Sequence, residues 1–207
     1  MVQSWFCSHV VVTLVAMQTI QVEKEMTDYP PIDPNVEVIG QNMLSFIQNT
    51  RAGTIRPTLN KYGLGVIDPE KWYLLSKWVE VMNTVARGPT GMSDLVAIGL
   101  AITKTALLPP DIENMTYPQF AMLADETYQI NHRNGYAGEI KTEIVAEQHA
   151  RYTIHVPYPD DLEYGVFYGF ARRFLGPEPY LIVSYDEEEK RRADGGVHTI
   201  INVEWED

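Results

Sequence analysis

Pro157-Tyr158-Pro159-Asp160-Asp161-Leu162-Glu163-Tyr164-Gly165-Val166-Phe167-Tyr168-Gly169-Phe170-Ala171-Arg172-Arg173-Phe174 is the stretch on which the reading of this 207-residue chain turns. Pro157 and Pro159 hold the preceding backbone extended, so no helix starts earlier. Asp160 stands where a side chain caps a helix, and Glu163 three residues on completes a capping box. Val166, Phe167, Phe170 and Phe174 recur at three-to-four spacing, while Arg172 and Arg173 point elsewhere. The expectation is a buried amphipathic helix.

On either side the period is two. Ile140, Thr142, Ile144 and Ala146 alternate with Lys141, Glu143, Val145 and Glu147, and Tyr152, Ile154 and Val156 with Arg151, Thr153 and His155; the two runs meet at Gln148 to Ala150 as an antiparallel hairpin. Beyond the helix, Leu181, Val183 and Tyr185 mark one strand, and Val197, Thr199, Ile201, Val203 and Trp205 the last. Upstream the pattern is helical. Val36, Ile39, Met43, Leu44 and Ile47 suggest one helix, and a short one follows from Pro57 to Tyr62. Asp68 reads as a cap with Pro69 in the first turn, opening a helix with the stripe Trp72, Leu75, Val79, Met82 and Ala86. Ser93 and Asp94 open another, in which Gly99 permits close approach of a neighbour, and Thr116 to Asn131 reads as the last. The sum is an α+β fold. An N-terminal helical layer packs on a C-terminal, mostly antiparallel sheet of about four strands, with one helix inserted between strand pairs. Residues 1–35 read as an extension, with Met17 and Met26 as alternative starts, and residues 36–207 as one domain.

Hydrophobic residues make up 45% of the chain, enough for a filled core, and the formal net charge is -12 with a pI of about 4.8. That balance argues against nucleic acid, whose binding depends on neutralising phosphates with Lys and Arg. Cys7 is the sole cysteine, which excludes an intrachain disulfide and a thiolate-rich zinc site and fits a cytoplasmic protein. The apolar run near the N-terminus has no preceding Lys or Arg and is too short for a membrane span.

Tyr158-Pro159 before an acidic residue, Gly165 and Gly169 within the helix, Ala171-Arg172-Arg173-Phe174, and the basic run Lys190-Arg191-Arg192 into Gly195-Gly196 with a strand closing on Trp205 resemble the 4-vinyl-reductase-like domain family. That family is related to haem-nitric-oxide-binding sensor domains and to vesicle-tethering subunits. The likeness extends to Asp68–Trp78, Ile98–Pro110 and Tyr128–Gly138. Members often carry three cysteines that are missing here, where Asp160, the run Asp186 to Glu189 and Val197-His198-Thr199 stand instead. The haem-binding relatives take an axial histidine from about the region of His132 and clamp the propionates with a Tyr-x-Ser-x-Arg signature. Here the corresponding stretch is Thr153-Ile154-His155-Val156-Pro157, without the clamp.

Five histidines, His9, His132, His149, His155 and His198, are spread without close ligand spacing, so no metal site is assigned. Were their strands neighbours, His155 and His198 would converge. His132 sits where a helix ends, and a hydrogen bond to the last carbonyls is its structural role. Trp72, Trp78, Met82, Phe120, Met122 and Tyr128 are candidates for an apolar pocket between helices and sheet, and the assigned ligand-binding set is Trp72, Trp78, Met82, Tyr128 and His132. No phosphate loop, nucleophile elbow or zincin motif is present, and no catalytic residue is assigned. The expected function is a sensory or regulatory domain binding an apolar small molecule, working as a homodimer, with no cofactor. One alternative is an interaction subunit with a filled core; a further one is a haem-binding or tetrapyrrole-related protein.

Overall fold

In the computed structural model the described residues are 33–49 and 52–206, so the expectations for the first 32 residues lie outside them. Gly40 divides what apolar spacing had suggested is one helix. Strand β1 (Glu37–Ile39) ends there and helix α1 (Gly40–Asn49) begins, at a point where a Cβ on residue 40 would run into the Asp68 carbonyl. Helix α2 (Ala52–Lys61) follows. Asp68-Pro69-Glu70 does not start a helix. The Asp68 carboxylate accepts from the Glu70 N–H at 3.1 Å and its carbonyl from the Lys71 N–H at 3.2 Å, which closes a turn instead. Strand β2 (Trp72–Leu74) then pairs antiparallel with β1, and helix α3 starts only at Leu75, running to Ala86. Strand pairing has overridden the local helix signal.

Helix α4 (Gly91–Ile102) opens two residues before Ser93. The expected helix from Thr116 to Asn131 is broken at Met122 and Leu123 into α5 (Tyr117–Ala121) and α6 (Ala124–Gln129), and strand β3 (His132–Arg133) then joins β1. The small sheet in the order β2-β1-β3 was not foreseen, since two- and three-residue strands have no periodicity to read.

The larger sheet is as expected, except that the last strand begins at Thr199 and leaves Val197 exposed before it. Strands β4 (Glu139–Ala146) and β5 (His149–His155) form the hairpin, helix α7 spans Asp160–Leu175, and β6 (Tyr180–Tyr185) and β7 (Thr199–Glu206) complete an antiparallel sheet in the order β4-β5-β7-β6. Ala150, Tyr152 and Ile154 of β5 and Ile201, Val203 and Trp205 of β7 turn the same buried face toward the helices. Phe167 and Phe170 of α7 are buried, Phe167 4.1 Å from the Tyr152 ring and Phe170 4.9 Å from Phe120, each such side chain contributing about 2 kcal/mol. On its other side α7 lies against α4 at backbone contact. A Cβ on Gly99 would strike the Leu162 carbonyl, and one on Gly165 the Val96 carbonyl. The close approach expected at Gly99 is thus met by a second glycine on the partner helix.

The capping box is not formed. Pro159 occupies the cap position and Asp160 is the first helical residue, 3% exposed. One carboxylate oxygen of Asp160 accepts from the Thr199 hydroxyl at 2.7 Å, the other from the Ala193 N–H at 2.9 Å, so Asp160 ties the start of α7 to β7 and to the loop before it. Glu163 is thereby left to turn inward. Among the described residues no helix is long and apolar enough to cross a membrane.

Candidate ligand-binding site

Where α3, α4, α6 and α7 meet β4 and β5, the packing leaves a cavity of about 90 Å³. Most of its wall is apolar: Trp78, Ile102, Phe120, Tyr152, Leu162, Val166, Phe167 and Phe170. Asn42, Thr127, Tyr128, Asn131, His132, Tyr158 and Glu163 add polar groups.

His132 follows the α6 end, and its Nδ1 lies 2.8 Å from the Tyr128 carbonyl, as expected for a residue closing a helix. Its Nε2 lies 2.7 Å from the Tyr158 hydroxyl. Burial lowers its pKa to about 4, against the smaller opposing effect of the carbonyl, so the ring is neutral near pH 7. A carbonyl only accepts. Nδ1 therefore carries the proton, Nε2 accepts, and the Tyr158 hydroxyl donates to it. The Tyr128 hydroxyl donates to the Ala137 carbonyl at 2.7 Å. Burial raises both phenols far above their ordinary range.

Glu163 is 5% exposed and borders the cavity. Its pKa is raised to about 8, first by burial and then by the Asp160 charge, with Arg192 pulling the other way. Two further polar atoms of residues bordering the cavity lack a partner within the protein, Thr127 Oγ1 and Asn42 Oδ1. A buried polar atom left unpaired costs about 1–3 kcal/mol, and a ligand or water in the cavity can supply partners to both.

Of the residues assigned from sequence, Trp78, Tyr128 and His132 border the cavity, as does Phe120. Trp72 does not. It stands on β2 with the Arg133 guanidinium 4.5 Å over its ring, because the segment is strand rather than helix. Met82 is fully buried in the core away from the cavity, and Met122, at the break between α5 and α6, is 56% exposed. Glu163, Tyr158, Thr127 and Asn42 were missed. The one signal for Glu163 was its place among the apolar residues of α7, which the capping motif masked. Strands β5 and β7 are neighbours, with Ile154 opposite Thr199, which brings the positions of His155 and His198 close. Even so, no group of three metal-ligating side chains gathers among the described residues.

No family model matches the sequence, and no curated protein does. Solved structures do match. An H-NOX protein from S. oneidensis in the Fe(II)NO ligation state superimposes with a TM-score of 0.63 at 14% identity, over 82% of this chain and 99% of that one. An oxygen-binding H-NOX domain related to soluble guanylate cyclases gives 0.59 at 15% identity, over 81% and 93%. The Cs H-NOX mutant with 4-cyano-L-phenylalanine gives 0.60 at 18% identity, over 82% and 97%. The chain has the fold of H-NOX domains over nearly their whole length. Of the relations implied by sequence, the one to haem-nitric-oxide-binding domains is supported at the level of fold; the 4-vinyl-reductase-like resemblance is not.

Proposed function

We propose that this chain is a sensory or regulatory domain on the H-NOX fold that binds a small, largely apolar molecule in the cavity between α4, α6, α7 and the β4-β5 hairpin, with no catalytic step. The observation that supports this most directly is a mostly apolar cavity bordered by two polar atoms that have no partner within the protein. A filled-core scaffold has no use for such a space.

One of the structural neighbours was solved to study haem redox potential. The residues here do not suit that group. A cavity of about 90 Å³ is far below the roughly 300–1,000 Å³ of ordinary ligand pockets. Trp78, Phe120, Phe167 and Phe170 occupy the surrounding space, and both ring nitrogens of His132, the histidine bordering the cavity, are already engaged. After reconstitution with haemin and gel filtration, the full chain is expected to be colourless. A Soret band that co-elutes with the protein and is lost in His132→Ala would overturn this. Thermal-shift screening with small amphiphiles tests the binding reading itself; stabilisation by none of them would remove it.

A further inference from the structure

The polar groups that border the cavity are rich in acceptor oxygens, and once the Glu163 carboxyl is ionised it only accepts. His132 has given its proton to the Tyr128 carbonyl, Tyr158 to His132, and Tyr128 to Ala137. What remains is the Glu163 carboxyl, Asn42 Oδ1, the Thr127 hydroxyl, which accepts as well as donates, and the lone pairs of Tyr158. Trp78, Phe120, Tyr152, Phe167 and Phe170 border the same space.

We infer that the ligand is a small primary ammonium on a short apolar body, with Glu163 as its counter-ion. This rests on the binding reading above. An ammonium brings three donors and no acceptor, which matches a carboxylate, an amide oxygen and a hydroxyl oxygen. Trp78, Phe120 and Tyr152 border the same space, and aromatic rings are the neutral side chains that best tolerate a desolvated cation. A buried cation is tolerable only when paired, and the acid borders the same space. The net charge of -12 draws cations toward the protein and repels anions. Size sets the body. An engineered cavity of roughly 150 Å³ holds benzene, so about 90 Å³ suits about four heavy atoms, as in isopropylammonium. Of the ionisable groups around Glu163, Asp160 disfavours its ionised form and Arg192 favours it, while His132, Tyr128 and Tyr158 are neutral at the pH of the test.

The test is a nuclear magnetic resonance titration of the full chain with isopropylammonium chloride and with 2-propanol at matched ionic strength, from pH 6 to 9. The amine should shift the amides of Thr127, Leu162 and Glu163 and bind about tenfold tighter than the alcohol at pH 9, the margin of a desolvated charge-assisted contact. Its affinity should rise between pH 6 and 8, because the carboxyl must lose a proton to pair with it, and level off above. Glu163→Gln should bring the two ligands within about threefold of each other while 2-propanol still binds. Equal binding of the two by the native chain overturns this inference and leaves the cavity reading intact; no binding by either overturns both. An amine preference that persists in folded Glu163→Gln also overturns it. Should that variant not fold, the pH profile of the native chain decides alone.

Discussion

Replacing Glu163 by Gln should stabilise this protein in alkaline solution and do little in acid. In the fold the carboxyl holds its proton to about pH 8, against an ordinary value of 4.5. Between those limits this group binds more protons in the native state than in the unfolded chain, so its contribution to stability is greatest below pH 4.5, declines as pH rises, and is flat above 8. At 1.36 kcal/mol per decade the loss amounts to about 5 kcal/mol at the plateau and about 3 kcal/mol at pH 7. Glu163 is buried, so solvent screening does not reduce that figure much. An amide of the same shape never ionises. Urea denaturation of native chain and variant at pH 5 and pH 8.5 should show the difference in unfolding free energy moving by about 4 kcal/mol in the variant's favour. Comparing two pH values cancels any fixed cost of the new amide. Curves that stay parallel across this range would refute the reasoning, since they would mean that Glu163 is already ionised and solvated in the fold.

Two other perturbations follow from the same geometry. His132 has its pKa lowered to about 4 from 6.5 by burial, so its contribution is intact above pH 6.5 and is lost as pH falls through 4, worth about 3 kcal/mol; circular dichroism of His132→Gln between pH 3.5 and 7 should show a shallower acid loss than the native chain. Gly165→Ala would drive a methyl into the Val96 carbonyl, backbone that has no rotamer to yield. Overpacking of about 1–3 kcal/mol, less the gain in helix propensity, should lower the melting temperature by several degrees in a scanning calorimeter.

The larger sheet, the helix between its strand pairs and the close approach at Gly99 were legible in the sequence because alternation and three-to-four spacing report burial directly. The small sheet was not. β2 and β3 are too short to show a period, and the Asp68-Pro69 signal at a helix start is equally a turn signal until its partner strand is known. The site divided in the same way. Trp78 and Tyr128 were accessible as apolar or aromatic residues on helices that face the sheet. Glu163 was hidden, because an acid three residues after an Asp reads as capping unless one knows that Thr199 and Ala193 have claimed that Asp. The decisive contact joins residues 39 positions apart in sequence, where no local pattern reaches.

The measurement that tests the cavity most directly is a crystal structure of the full chain under xenon pressure. Xenon enters apolar cavities without needing the ligand's identity. Xenon density between Trp78, Phe120, Phe167 and Phe170, bordered by Glu163, is the result predicted. A crystal that takes up xenon elsewhere, with side chains closed over that position, would contradict it.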